Sequence, residues 1–301
     1  MHATQSATDT QARLQLELPY TPPLAWEPMV DFLAGRGAPQ LERLEGSRYL
    51  RTARIADHCG WLVVEPAHSG TALRVTASPA FAPVQPELEA ALRRLFDLDA
   101  DPHAIAAGLQ QDPLLADLVA STPGLRLPGT LSLFELGLRG ILGQQVTVKA
   151  ATTLFNRLIE RFGESVTTPF EGLNRLCPQP ETLAEVPVQS IIDLGLTGRR
   201  AATLQGFAQA IADGTLNIRP GDEPQGAMTQ LTQLSGIGPW TAHYIAMRAL
   251  SHEDAFPEAD IGLMRACGID KPAALRARAE TWRPWRGYAA MHLWNWRNSG
   301  G

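Results

Sequence analysis

Cysteine is scarce. Only three, Cys59, Cys177 and Cys267, occur in 301 residues, far apart from one another. That spacing excludes a disulfide framework and a cysteine-rich metal cluster. No run of about 18 apolar residues is present, so a membrane-spanning helix is not expected. Residues 1–12 are polar and lack the apolar core of a signal peptide; they read as a disordered tail, and a cytoplasmic location is expected. Internal repeats and low-complexity linkers are missing too. Nor is positive charge in excess: 26 Lys and Arg face 31 Asp and Glu, a net charge of −5. That balance argues weakly against a nucleic-acid binder. However, residues 261–301 hold seven basic side chains and two acidic ones, and a local basic end can meet a phosphate backbone.

What is present suits a large globular chain. Hydrophobic residues make up 45% and charged residues 19%, enough to bury two or three domains. The predicted fold is α+β and mostly α. An antiparallel sheet domain over 13–101 precedes a helical core over 102–301. In the first part Leu14, Leu16 and Leu18 alternate as in a half-buried strand. Residues 48–55, 60–65 and 72–76 also read as strands, with helices at 26–36 and 84–97. Beyond 102 the pattern is helical, with two subdomains expected, 133–252 and 102–132 plus 253–301. The predicted helices include 131–142 and 146–162, separated by a break at Gly143 that holds Gln144 and Gln145. Others follow at 199–212, 242–250, 261–266, 272–282 and 285–296.

The run at 231–242 reads Leu-Thr-Gln-Leu-Ser-Gly-Ile-Gly-Pro-Trp-Thr-Ala, and Asp260 follows 22 positions after its second glycine. Gly236 and Gly238 flank Ile237 in a turn between two apolar helical patterns. Glycine at both places permits positive φ and close backbone approach. Pro239 suits a first helical turn. The N–H groups at that helix start favour an anion such as a phosphodiester. Asp260, in Pro257-Glu-Ala-Asp-Ile261, precedes a helix and can equally act as an N-cap.

Together with Gly124-Leu-Arg-Leu-Pro-Gly129, Ile141-Leu-Gly-Gln144 and Trp282-Arg-Pro-Trp-Arg-Gly-Tyr-Ala289, this hairpin makes residues 125–301 resemble the helix-hairpin-helix DNA glycosylase superfamily. Within it the chain is similar to the bacterial 3-methyladenine DNA glycosylase II family. The first hundred residues match more loosely. The resemblance implies removal of alkylated, cationic purines from duplex DNA, with Asp260 as the essential carboxylate. A carboxylate beside the sugar stabilises the positive charge that develops as the base leaves. Trp240 stands where bifunctional relatives have a Schiff-base lysine, so the resemblance implies a monofunctional enzyme. An extruded base needs aromatic walls, implied here as Trp240, Tyr244 and Trp294, with Phe32 reaching in from the first domain. Such faces attract a cationic ring. Trp282, Trp285 and Trp296 read instead as core residues.

The same resemblance puts Gln144, Gln145, Gly236, Ile237, Gly238 and Thr241 against DNA. Gln145 takes the wedge position, where the best-known pattern has leucine, with Val146 as a substitute. Ile261 replaces an expected aromatic. No metal or cofactor is expected, apart from a monovalent cation at the DNA-bound hairpin. Some relatives hold an iron–sulfur cluster on four closely spaced cysteines, which this chain lacks. The expected partner is damaged double-stranded DNA, the expected state a monomer, and the expected place the bacterial cytoplasm, acting at the nucleoid. Two readings compete: a glycosylase for deaminated bases, and a non-catalytic protein that binds damaged DNA.

Overall fold

Residues 13–298 are described by a computed structural model; the tail expected over 1–12 lies outside them. Five strands come first: β1 Leu14–Pro19, β2 Glu42–Glu45, β3 Arg48–Ile55, β4 His58–Pro66 and β5 Ala72–Ala77. They form one antiparallel sheet in the order β1-β5-β4-β3-β2. Alternation sorts their side chains. Tyr49, Ala53, Leu62 and Val64 join the main sheet core, while Leu50, Trp61 and Val63 pack on the other face against Leu173. Helices α1 (Trp26–Ala34) and α2 (Gln85–Leu95) cover the main face. In α1 the apolar stripe Trp26, Met29, Val30 and Leu33 follows helical spacing. Phe32 leaves that stripe and joins the helical core instead. Thus α1 spans both cores, and this places Phe32 at the site described below.

The rest is helical apart from a two-residue pairing of β6 (Glu164–Ser165) with β7 (Arg175–Leu176). Short helices α3 (Pro102–Leu109) and α4 (Pro113–Ser121) lead to α5 (Leu133–Leu142) and α6 (Val148–Phe162). After α7 (Pro180–Glu185) and α8 (Val188–Ile192) come α9 (Gly198–Ala212), α10 (Pro224–Gln233) and α11 (Pro239–Ala249). Last are α12 (Ile261–Ala266), α13 (Pro272–Ala279) and α14 (Arg286–Asn298). The expected antiparallel sheet followed by a helical core is the architecture found. Among the described residues no helix is long and apolar enough to cross a membrane.

A buried ionic network fastens the sheet to α5. Arg51 of β3 pairs with Glu135 at 2.9 Å, and Arg139, one turn along α5, pairs with the same carboxylate at 2.8 Å. Glu42 of β2 closes the network through Arg139 and the Tyr49 hydroxyl. Burial would raise the Glu135 carboxyl, but the two guanidiniums prevail and hold it down at about 2. A charge buried in this way persists only because it is paired.

Candidate active site

Asp260 is the N-cap of α12: its Oδ1 accepts from the Leu263 N–H at 2.9 Å. The capping role that aspartate commonly fills is therefore present. It does not exhaust the side chain. Oδ1 also accepts from Trp294 Nε1 at 3.1 Å, and Oδ2 accepts from Trp240 Nε1 at 3.0 Å. Two indoles from α14 and α11 and a helix N-terminus therefore fix one half-buried carboxylate. Three donors thus hold the carboxylate in one orientation.

The aromatic residues expected at this place are brought together. Trp240 and Tyr244, one turn apart on α11, stack with centroids 5.5 Å apart and planes within 3°. Trp294 lies 6.4 Å from Phe32, inclined at 23°. Two of these faces already carry a protein cation, which the sequence reading missed. The Arg36 guanidinium sits 3.9 Å above the Phe32 ring, and Arg248 approaches Phe32 at 5.1 Å and Tyr244 at 5.6 Å. The signal was available, since Phe32–Arg36 and Tyr244–Arg248 are both i,i+4 pairs on helical patterns.

Arg248 is buried and fully committed. It donates to the Pro128 carbonyl at 2.8 Å, the Gly129 carbonyl at 2.9 Å and the Tyr244 hydroxyl at 2.8 Å. Burial pushes the Tyr244 phenol up, but Arg248 and Arg36 together prevail and bring it below its ordinary value. Burial, with Arg248 and Arg139 adding repulsion, lowers Arg36 to about 10 against the opposing pull of Tyr244 and Asp260. Glu258, the neighbouring carboxylate, is engaged by Arg276 at 2.6 Å and held below its usual range by that bond.

The hairpin differs from expectation in one respect. Gly236 has φ +86° and needs to be glycine, because a Cβ there would lie 2.0 Å from Thr203 Oγ1 of α9. Gly238 is extended, at φ −95°, and serves as the N-cap residue before Pro239 and Trp240. Ile237 is buried, anchoring the turn, whereas Thr241 is buried and bonded. Gln144 donates from Nε2 to the Gly236 carbonyl and to Thr241 Oγ1, both at 3.0 Å, and its own carbonyl accepts from Arg200 at 2.6 Å. It is thus a tie between the loop and the hairpin. The break after α5 is made by Gln145 at φ +55°, not by Gly143, whose φ of −80° is helical. Gln145 is exposed beside Val146 and Val148, and Ile261 is 57% exposed next to Asp260.

Of the three tryptophans read as core, Trp282 is buried against Phe256 and Trp285 is half-buried, but Trp296 is exposed because it faces away at the end of α14. A cavity of about 400 Å³ lies elsewhere, between β3, the start of α5 and the end of α9. Its lining includes neither Asp260 nor the indoles, so it is separate from the carboxylate cluster. Among the described residues no group of three His, Cys, Asp or Glu is placed to hold a metal ion.

Residues 15–132 match the description "AlkA N-terminal domain", and residues 138–285 match "HhH-GPD superfamily base excision DNA repair protein". The chain is 37% identical, over 96% of its length, to the probable bifunctional transcriptional activator/DNA repair enzyme AlkA of Mycobacterium tuberculosis, and spans 58% of that longer protein. It superposes on the 3-methyladenine DNA-glycosylase from Archaeoglobus fulgidus with a TM-score of 0.84, covering 95% of this chain and 99% of that one at 20% identity, a likeness of fold. DNA-3-methyladenine glycosylase 2 of Escherichia coli is 36% identical over 92% of this chain and 95% of its own length, and the chain belongs to that family of helix-hairpin-helix base excision repair proteins.

Proposed function

We propose that the protein is a monofunctional DNA glycosylase. It hydrolyses the N-glycosidic bond of alkylated purines such as 3-methyladenine in damaged duplex DNA and leaves an abasic site, acting as a monomer in the bacterial cytoplasm. The observation that carries this reading is the Asp260 carboxylate, fixed by two indole N–H groups and a helix N-terminus among Trp240, Tyr244, Trp294 and Phe32.

A purine methylated on a ring nitrogen is already cationic and leaves without being protonated. As the C1′–N bond breaks, its electron pair goes to the base and neutralises it. The sugar is left with positive charge. Asp260 faces that charge and stabilises it, having been oriented beforehand by the bonds to Trp240 and Trp294. Water then adds to C1′ and gives up a proton, completing the abasic sugar. Trp240 has no amine, so no imine forms and the strand stays intact. On the duplex, the first N–H groups of α11 lack intrahelical acceptors and grip a phosphate at the Gly236–Gly238 turn without reading sequence. Gln145, exposed on its loop, fills the space of the extruded base, and Gln144 holds that loop to the hairpin.

Base release from methylated duplex DNA tests the reading, with products identified and borohydride added in parallel. Methylpurines, uncut abasic sites and no trapped adduct are expected. A trapped adduct refutes the monofunctional mechanism. Binding to damaged duplex without release of any alkylated base refutes the reaction, and release of hypoxanthine or uracil alone reassigns the substrate to deaminated bases.

A further inference from the structure

Arg36, in this cluster, has nitrogens for which no acceptor is found among the described residues. Arg51 and Arg139 are neutralised by Glu42 and Glu135, and all three nitrogens of Arg248 have acceptors. Arg36 donates from Nη1 to the Phe32 carbonyl at 3.2 Å, and no ion pair to it is found among the described residues. Its guanidinium carbon lies 3.9 Å over the Phe32 ring, which holds the group against that face. Phe32 in turn packs against Trp294, which donates to Asp260, so Arg36 lies beside the same site. A guanidinium has five N–H donors and no acceptor, so most of its donors remain for a ligand.

Resting on the glycosylase reading above, we propose that Arg36 is a specificity-determining residue: its uncommitted N–H groups donate to an exocyclic carbonyl oxygen of the extruded base, favouring oxo-purines over amino-purines. A carbonyl such as O6 of 7-methylguanine accepts from the fork. The amino group at the same edge of 3-methyladenine presents donors to donors. The two bases carry the same charge, so charge alone cannot produce a change in their release ratio between wild type and an Arg36 variant. Hypoxanthine keeps the carbonyl without the charge and avoids the repulsion that Arg36 imposes on a cationic base.

The test is single-turnover release of 7-methylguanine, hypoxanthine and 3-methyladenine from otherwise identical duplexes by wild type, Arg36→Met and Arg36→Lys. Methionine keeps an apolar chain on Phe32, lysine keeps charge and a donor, and melting temperatures of both variants are recorded. Release of the two oxo-purines is expected to fall about ten- to hundredfold in Arg36→Met, the range for a charge-assisted hydrogen bond, while 3-methyladenine changes less than threefold. Arg36→Lys should recover part of the loss for oxo-purines alone. Equal losses for all three bases in both variants would show a structural role and overturn the proposal, as would unchanged ratios. No release of any base by wild type overturns the glycosylase reading itself, and this inference with it.

Discussion

Replacing Asp260 by asparagine separates its two roles. Asparagine caps helices as well as aspartate, and its Oδ1 can keep the bonds from Leu263 N–H and Trp294 Nε1. Its amide nitrogen then faces Trp240 Nε1, which donated to Oδ2 at 3.0 Å. Two donors meet and one is left unsatisfied. Turning the amide over is worse, because two donors would then face the NH2 group. An unsatisfied donor costs about 1–3 kcal/mol. Trp240 is half-buried, so the lower end applies, roughly a 2–4 °C fall in Tm for a domain of this size. The catalytic loss is larger. A carboxylate about 4 Å from a developing unit charge contributes about 4 kcal/mol at an effective dielectric near 20, on the order of a thousandfold in rate. Asp260→Asn should therefore bind duplex like wild type and release methylpurine about a thousandfold more slowly in single-turnover assays. Adding Trp240→Phe removes the opposing donor, so the double variant should regain the lost stability and none of the activity. A single variant within tenfold of the wild-type rate would refute the role given to the carboxylate. A double variant no more stable than Asp260→Asn would refute the donor conflict.

Gln144→Ala removes two neutral hydrogen bonds joining loop and hairpin, each contributing about 0.5–1.5 kcal/mol; duplex affinity by fluorescence anisotropy should fall roughly tenfold, and the Tm should fall by a few degrees. Gly236→Ala must both hold φ +86° and displace Thr203; duplex binding should be lost, and Thr203→Ala should restore only part of it, because the backbone strain remains. His292 is buried on α14, and burial lowers it from 6.5 to about 4. Its folded-state value lies below the unfolded one, so its contribution is complete above pH 6.5 and declines as pH falls towards 4, by about 2 kcal/mol between pH 7 and 5. Burial raises Asp97 from 3.8 to about 7; its contribution is complete below pH 3.8 and is lost as pH rises through 7. The two slopes oppose each other between pH 4 and 6.5. In denaturant titrations His292→Leu should therefore grow less stable as pH rises through that window, and Asp97→Asn more stable; parallel profiles for both variants would refute the assignment.

How far the fold was legible follows from what each element relies on. Strand β3 was readable end to end because it alternates between two cores, and α12 because Asp260 caps it. Strand β2 was not, since Glu-Arg-Leu-Glu has no apolar alternation; Glu42 is buried there only because Arg139, Arg51 and Tyr49 meet it from other segments. The pairing of β6 with β7 is two residues long, below any detectable period. At the hairpin the glycine pair was visible, but its asymmetry was not, because the reason for Gly236 is Thr203, 33 positions earlier in the chain.

The site shows the same division. Its acid and its aromatic residues were visible in sequence, and the structure brings Asp260, Trp240, Tyr244, Trp294 and Phe32 together. What sequence did not convey is how these groups are already engaged. Both indole N–H groups are turned to the carboxylate, and a guanidinium lies on Phe32. Attraction of a cationic base by bare aromatic faces is thus an incomplete account of selection. Within this cluster one carboxylate stands beside two guanidiniums, Arg36 and Arg248, so on the proposed reading an incoming cationic base would gain from Asp260 and the indole faces and lose near the guanidiniums. On that reading a base would be discriminated by which of its edges meets which charge, and charge on the base alone would not decide the outcome.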